Sequence, residues 1–206
     1  MTSPRLMVRV GMVMLQGARH AHIAALENAA RHLKVSLEII ELRAPEELTT
    51  GQLDAIVFPG GESTTMRLTG GIEGNGLLPT LFSWLRTNRD CPVLATCAGA
   101  ILMADPQDGG PPLVNGEINR NGYGSQAESF QAELQTPEFG GTFPGVFIRA
   151  PRFKSVAGDG IGIAYNQDEV VAIREGCWIA ATFHPELTDD IRFHTWLLAQ
   201  AGGDSE

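Results

Sequence analysis

Cys97 lies in the run Val93-Leu94-Ala95-Thr96-Cys97-Ala98-Gly99-Ala100, and far downstream a second apolar run ends in His184-Pro185-Glu186. A thiol, an imidazole and a carboxylate are the nucleophile, base and orienting group that cysteine-based acyl transfer needs. The first run reads as a buried strand that breaks at a small-residue turn. Ala95, Ala98, Gly99 and Ala100 suit the sharp strand-to-helix turn of a nucleophile elbow, with thiol in place of hydroxyl. A helix starting there favours thiolate, and the Ala98 N–H is placed to face a developing oxyanion. The second run, Cys177 to Phe183, reads as a strand whose end carries His184. Residues two apart in extended chain point the same way. Glu186 is therefore expected to orient His184, and His184 to activate Cys97. Cys91 and Cys177 lack such flanks and read as structural thiols, the usual fate of a free cysteine.

Two further groups of residues bear on recognition. Pro59-Gly60-Gly61-Glu62-Ser63-Thr64-Thr65 is either an ordinary glycine turn capped by Ser or Thr before a helix, or a backbone whose N–H groups line a small-molecule site. A phosphate loop is disfavoured, because Glu62 puts negative charge where phosphate would sit and no Lys follows the glycines. Arg120 sits in Arg120-Asn121-Gly122-Tyr123-Gly124, and Arg149 in Phe147-Ile148-Arg149-Ala150-Pro151. They are surface salt-bridge residues or carboxylate receptors, a task that suits the guanidinium fork. His20 and His22 lie two apart on an expected helix, face different directions, and make a poor metal pair. With His32 and His194 they read as surface or packing residues. Nothing calls for a metal or a bound cofactor.

Alternating strands and helices are expected to position these groups. Val8 to Leu15 reads as a first buried strand, Arg19 to His32 as a helix, Leu37 to Leu42 as a second strand and Asp54 to Phe58 as a third. Pro45 opens a short helical or turn segment. A helix from Leu77 to Arg86 precedes the strand that ends at Cys97. This order predicts an α/β fold with a mainly parallel central sheet covered on both faces. Asp105 to Gly145, rich in Gly, Pro, Asn and Gln, is expected to be loops and short strands laid on that sheet rather than a second domain. Val156 to Ile163 and Val170 to Ile173 read as strands of a hairpin, and Ile191 to Ala201 as a closing helix with Ile191, Trp196, Leu197 and Leu198 facing the core.

Composition sets the outer bounds. The chain has 206 residues, enough for one domain with a substantial core, and a formal net charge of -9. An acidic chain without a Lys/Arg cluster argues against nucleic acid or an anionic membrane as partner. Three cysteines without metal or redox-pair spacing point to reduced thiols and a cytoplasmic setting. The apolar run after Met1-Thr2-Ser3-Pro4-Arg5 is too short to span a bilayer.

These pieces together resemble a known family. Leu15-Gln16-Gly17-Ala18 with His22, Pro59-Gly60-Gly61-Glu62-Ser63-Thr64, Thr96-Cys97-Ala98-Gly99, Arg120-Asn121 with Tyr123-Gly124, Ser129-Phe130, Phe147-Ile148-Arg149-Ala150-Pro151 and His184-Pro185-Glu186-Leu187 run from the first strand to the last. The chain resembles the glutaminase subunits of pyridoxal 5′-phosphate synthase, which are class I glutamine amidotransferases. The resemblance implies a three-layer, flavodoxin-like α/β/α fold formed by one domain over residues 1–206. It implies a triad of Cys97 as nucleophile, His184 as base and acid, and Glu186 as orienting carboxylate. L-Glutamine would be held by Gly60, Gly61, Glu62, Ser63, Arg120, Ile148 and Arg149, with Ala98 beside the oxyanion. The ammonia would pass to a separate barrel-shaped synthase subunit. Ser125 stands where the family usually has Arg, Ala21 where an acidic residue commonly precedes His22, and Ala95 where Gly is common. The rival readings are a glutaminase serving another synthase, such as one in histidine biosynthesis, a catalytically silent scaffold, and a cysteine peptidase.

Overall fold

A computed structural model describes residues 7–17, 19–122 and 129–202. Ala18, Tyr123, Gly124, Ser125 and Gln126 lie outside the described residues. The chain runs through β1 (Met7–Val13), α1 (Arg19–Leu33), β2 (Ser36–Leu42), α2 (Pro45–Thr50), β3 (Ala55–Phe58), α3 (Ser63–Gly70), α4 (Leu77–Thr87), β4 (Val93–Thr96) and α5 (Ala98–Ala104). It continues with β5 (Gly116–Asn119), β6 (Phe130–Gln135), β7 (Thr142–Phe147), β8 (Arg152–Val156), β9 (Ile161–Asn166), β10 (Glu169–Glu175), β11 (Trp178–Ala181) and α6 (Arg192–Gly202).

Nine of these strands form one sheet in the order β2-β1-β3-β4-β11-β10-β9-β6-β7. From β2 to β11 every pairing is parallel, and from β11 to β7 every pairing is antiparallel. The parallel part obeys the expected rule of burial on both faces. Along β3, Ala55 and Val57 face one core while Ile56 and Phe58 face the other. Leu94 of β4 and Ile179 of β11 join the first core, and Val93, Ala95, Trp178 and Ala180 the second. Side chains alternate across a strand, so such runs read as continuously apolar. α1 and α6 cover the first face, through Leu26, Ala29, Phe193 and Leu197. α2, α3, α4 and α5 cover the second, through Leu48, Met66, Leu81 and Leu102. The result is the expected three-layer arrangement.

The antiparallel extension was hidden in the Gly- and Pro-rich stretch. β6 and β7 pair along their whole length from Phe130↔Phe147 to Gln135↔Thr142. Only one residue in two of β7 is apolar and buried, and its Pro144 is tolerated because β7 is the sheet edge. Phe143 and Phe183 pack with Phe193 of α6, ring centroids being 5.0 Å apart for Phe143–Phe193 and 5.4 Å for Phe183–Phe193, both edge to face, and Phe147 packs on Phe183. The span from Val156 to Ile163 is two strands, not one. β8 ends at Val156 and pairs with β5 in a separate two-stranded sheet, and Gly158 turns the chain at φ 56 before β9 begins. The β9–β10 hairpin is present. In α6 Leu197 and Leu198 are buried as expected and Trp196 packs against the same core, while Phe193 and His194 join them and Ile191 precedes the helix. Among the described residues no helix is long and apolar enough to cross a membrane.

Candidate active site

The parallel strands β3, β4 and β11 are neighbours, and their carboxyl ends open on the same edge of the sheet, where ligands bind in open α/β sheets. Cys97 follows β4. Its N–H donates to the Ala181 carbonyl at 2.8 Å, continuing the β4–β11 ladder by one residue. The chain then turns into α5 with Cys97 at φ 47, ψ −107, a region that non-glycine residues rarely occupy. Such strain costs of order 1–3 kcal/mol and persists only where the surroundings over-determine it. Here the constraint is visible in Gly99, where a Cβ would lie 2.2 Å from the Phe58 carbonyl oxygen. Ala98 is buried behind Cys97 in the second core, and its side chain does not wall the cleft.

His184 follows β11 on the neighbouring strand. Its N–H donates to the Val146 carbonyl at 2.8 Å, which ties it to β7. Its Nδ1 lies 2.7 Å from Glu186 Oε1. The pairing is as expected but the local geometry is not. His184 has φ −110, ψ 85, and Pro185–Leu187 form a 3₁₀ turn. The turn, opened by the fixed φ of Pro185, brings Glu186 back under the ring. Burial works against a charged His184, but hydrogen bonds to Cys97 and Glu186 outweigh it and push its pKa up to about 10. With Nδ1 on Glu186, the ring nitrogen left for Cys97 is Nε2. Burial likewise works against a charged Glu186, and His22 and His184 overcome it, holding the carboxyl well below the usual range.

Behind these three groups lies a second set that the sequence reading placed on the surface or in packing. His22 of α1 is fully buried. Its Nε2 lies 3.3 Å from Glu186 Oε1 and 3.2 Å from Thr96 Oγ1, and its Nδ1 lies 3.0 Å from Nε2 of His194 on α6. The spacing held a signal. His22 shares the buried stripe of Ala25, Leu26 and Ala29, and His194 that of Leu197 and Leu198. A histidine on an apolar helix face needs a buried polar partner, and the partner here is a carboxylate. Among the described residues there is no group of three or more His, Cys, Asp or Glu arranged to hold a metal.

In front of Cys97 and His184 opens a cleft of about 420 Å³. Gly60, Gly61, Glu62 and Ser63 form one wall, and Arg120, Ile148 and Arg149 another, so the residues expected around a ligand do converge. A wider hollow of about 760 Å³ lies over β6 and β7, but it contains neither cysteine nor histidine. The Gly60–Glu62 loop is held from the turn that follows β1. Gln16 Oε1 accepts the Glu62 N–H at 2.9 Å, and Gly17, at φ 105, leaves room for the Gly60 carbonyl, which a Cβ there would meet at 1.8 Å. Glu62, rather than Ser or Thr, caps α3. Its carboxylate accepts from the Thr64 and Thr65 N–H groups at 2.9 and 2.7 Å, and these bonds bring its pKa down to about 2. Arg120 donates to Thr64 Oγ1 at 2.6 Å and stands 3.6 Å from Glu62. The Ile148 carbonyl lies 3.9 Å from Cys97 Sγ, and Arg149 beside it has φ 45. A thiol, a base with its orienting carboxylate, and a cleft of amino-acid size can perform acyl transfer on a small substrate.

Comparison with known proteins gives a consistent result. Residues 12–202 match the model of the SNO glutamine amidotransferase family. A pyridoxal 5′-phosphate synthase subunit PdxT of Thermococcus onnurineus is 41% identical over 202 residues, covering 95% of this chain and all of that protein. The subunit of the same name from Chloroflexus aurantiacus is 41% identical and covers 92% of this chain and 98% of its own length. A crystal structure of a glutamine amidotransferase superposes with a TM-score of 0.76 at 34% identity, covering 94% of this chain and 98% of that one. A second glutamine amidotransferase, from Thermotoga maritima, superposes at 0.64 with 13% identity, covering 96% of this chain and 99% of its own, and shares the fold.

Proposed function

The chain belongs to the SNO glutamine amidotransferase family, and we propose that it is the glutaminase subunit of a pyridoxal 5′-phosphate synthase, acting through Cys97, His184 and Glu186. The observation that carries the catalytic assignment is the line of contacts from Cys97 through His184 to Glu186 at the mouth of the cleft. The Cys97 thiolate attacks the side-chain carboxamide carbon of L-glutamine. Backbone N–H groups of Gly60, Gly61 and Ala98 receive the oxyanion of the tetrahedral intermediate. His184 gives its proton to the leaving nitrogen, the C–N bond breaks, and ammonia departs from a glutamyl thioester. A water then loses a proton to His184, adds to the thioester carbon and expels the thiolate, releasing glutamate. Glu186 holds the His184 tautomer and stabilises the imidazolium.

Arg120 and Arg149 flank the cleft as candidates for the α-carboxylate, by side chain or by backbone. Glu62 is the carboxylate nearest to serve the α-ammonium, while retaining its two α3 amides. No metal or bound cofactor enters the scheme. The chain works as one domain in the cytoplasm. Ammonia released into water at neutral pH is mostly protonated and lost as a nucleophile, so the glutaminase docks on the barrel subunit that consumes it. Docking also activates it, by completing the oxyanion site formed by the glycine loop. The test is a titration of glutaminase rate against the cognate synthase subunit, with product formation from glutamine compared with that from ammonium salts. Turnover rises with the synthase and glutamine replaces ammonium. A flat titration removes activation by the partner. Glutamine that fails to support product formation points to a different acceptor.

A further inference from the structure

Glu186 is held from two sides. Its side chain is fully buried, and Oε1 takes contacts from His184 Nδ1 at 2.7 Å and from His22 Nε2 at 3.3 Å. Among the described residues Oε2 has no hydrogen-bond partner. Removing His22 therefore leaves the carboxylate tethered by the catalytic imidazole alone, free to turn about its own axis and take the ring with it. His22 is itself anchored on Thr96, the residue before Cys97, at 3.2 Å.

The proton positions follow from the partners. A carboxylate only accepts, so the approach of His22 Nε2 to Glu186 Oε1 at 3.3 Å calls for hydrogen on that nitrogen, which also lies 3.2 Å from Thr96 Oγ1. His194 is wholly buried, and that burial lowers its pKa to about 3, so it is neutral. His194 Nδ1 is buried without a partner, which an unprotonated nitrogen tolerates better than an orphaned N–H. The single His194 proton then sits on Nε2, 3.0 Å from His22 Nδ1, and donates to it. That bond makes His22 Nδ1 the acceptor and leaves its hydrogen on Nε2, facing Glu186.

We infer that His22 is a positioning residue for the amide hydrolysis, with His194 fixing its tautomer, so that the functional array is His194–His22–Glu186–His184–Cys97, not three residues. The inference rests on the triad reading given above. It ties α1 and α6, which lie on the face of the sheet opposite α5, to the geometry of the base.

The test compares two polar replacements in the complex with the cognate synthase. His22→Gln places an amide N–H near the position of Nε2 and retains a donor toward Glu186. His22→Asn reaches only as far as Nδ1 and does not. Asn is expected to lower kcat by about 10- to 100-fold with KM within about threefold, the scale of misplacing a catalytic group by up to an ångström. Gln recovers most of kcat. The titration midpoint of the His184 imidazole, followed by NMR, falls in His22→Asn and returns in His22→Gln, a pattern that a packing defect does not produce. His194→Leu, which leaves His22 free to take the other tautomer, behaves like His22→Asn, and His194→Gln, with an amide N–H near Nε2, is restored. Equal kcat and equal His184 midpoints for Asn and Gln, both matching the parent protein, overturn the inference. Cys97→Ala run alongside separates the two levels. If it remains active the triad reading has failed, whereas an inactive Cys97→Ala beside a fully active His22→Asn refutes the role of His22 alone.

Discussion

Gly60→Ala tests the packing at Cys97 and His184 while keeping every backbone N–H and side chain that the proposed mechanism uses. A Cβ on Gly60 would lie 2.7 Å from His184 Cε1 and 3.1 Å from Cys97 Cβ. Carbon atoms rest at about 3.5–4.0 Å, so the imidazole must recede by about 1 Å. It has little freedom to do so, because its Nδ1 is bonded to Glu186 at 2.7 Å and its backbone N–H to Val146 at 2.8 Å. The displacement falls on the Nε2–Sγ contact. A misplacement of about 1 Å lowers turnover by about 10²-fold, equivalent to about 2.7 kcal/mol in the barrier. Overpacking destabilises the fold by about 1–3 kcal/mol as well. The backbone of Gly60 lies outside the left-handed region, so alanine brings no conformational penalty of its own. The assay is glutamate release at saturating glutamine with the cognate synthase present, with urea unfolding as the check on folding. Turnover within about threefold of the parent, in a folded variant, would refute the close approach of Gly60 to His184.

Other perturbations give separate readouts. His184→Ala removes the base and is expected to lower turnover by about 10²–10⁴-fold. Glu186→Gln should fall less far, and equal losses in two folded variants would give Glu186 a larger part than orientation. Glu62 has a folded pKa below its unfolded value, so its stabilisation is present above about pH 4.5 and is lost as pH falls toward about 2. Glu62→Gln is therefore expected to be less stable than the parent at pH 7 by about 0.5–1 kcal/mol, the scale of an exposed cap and its dipole interaction. That gap should close between pH 4.5 and pH 2 in urea titrations, and a gap independent of pH would deny the charged cap. Arg120→Ala should raise KM for glutamine more than it lowers kcat if the arginine binds substrate and transition state alike. An unchanged KM takes it out of the ligand site.

The convergence of Cys97 and His184 was legible because both sit at strand ends. Cys97 and His184 each terminate an apolar run, and adjacent parallel strands bring two such ends together. The contact of Glu186 with His184 was expected from a wrong local geometry, since a 3₁₀ turn and not extended chain returns it to the ring. The polar contacts of His22 and His194, read only as surface or packing residues, were not foreseen because their partners are far away in sequence. His22 meets Thr96 and His194 only through packing of α1 and α6 on the sheet, which no short spacing encodes. Glu62 was read as a charge in the loop, and the structure adds its role as the cap of α3. β6 and β7 were obscured because an edge hairpin buries one face, so its apolar residues alternate with Gln, Glu, Thr and Pro and do not form a run.

Whether Cys97 is the nucleophile that takes the glutamyl group is tested by joining chemistry to mass. The parent protein and Cys97→Ala, each with the cognate synthase, are assayed for glutamate release from glutamine. Each is also incubated with a glutamine-mimicking electrophile and digested for mass spectrometry. One adduct is expected, on Cys97, in step with loss of activity, and no hydrolysis above background for a folded Cys97→Ala. Cys91 and Cys177 remain unmodified. Substantial glutamine hydrolysis by Cys97→Ala, or inactivation with the label on another residue and Cys97 intact, would contradict that role.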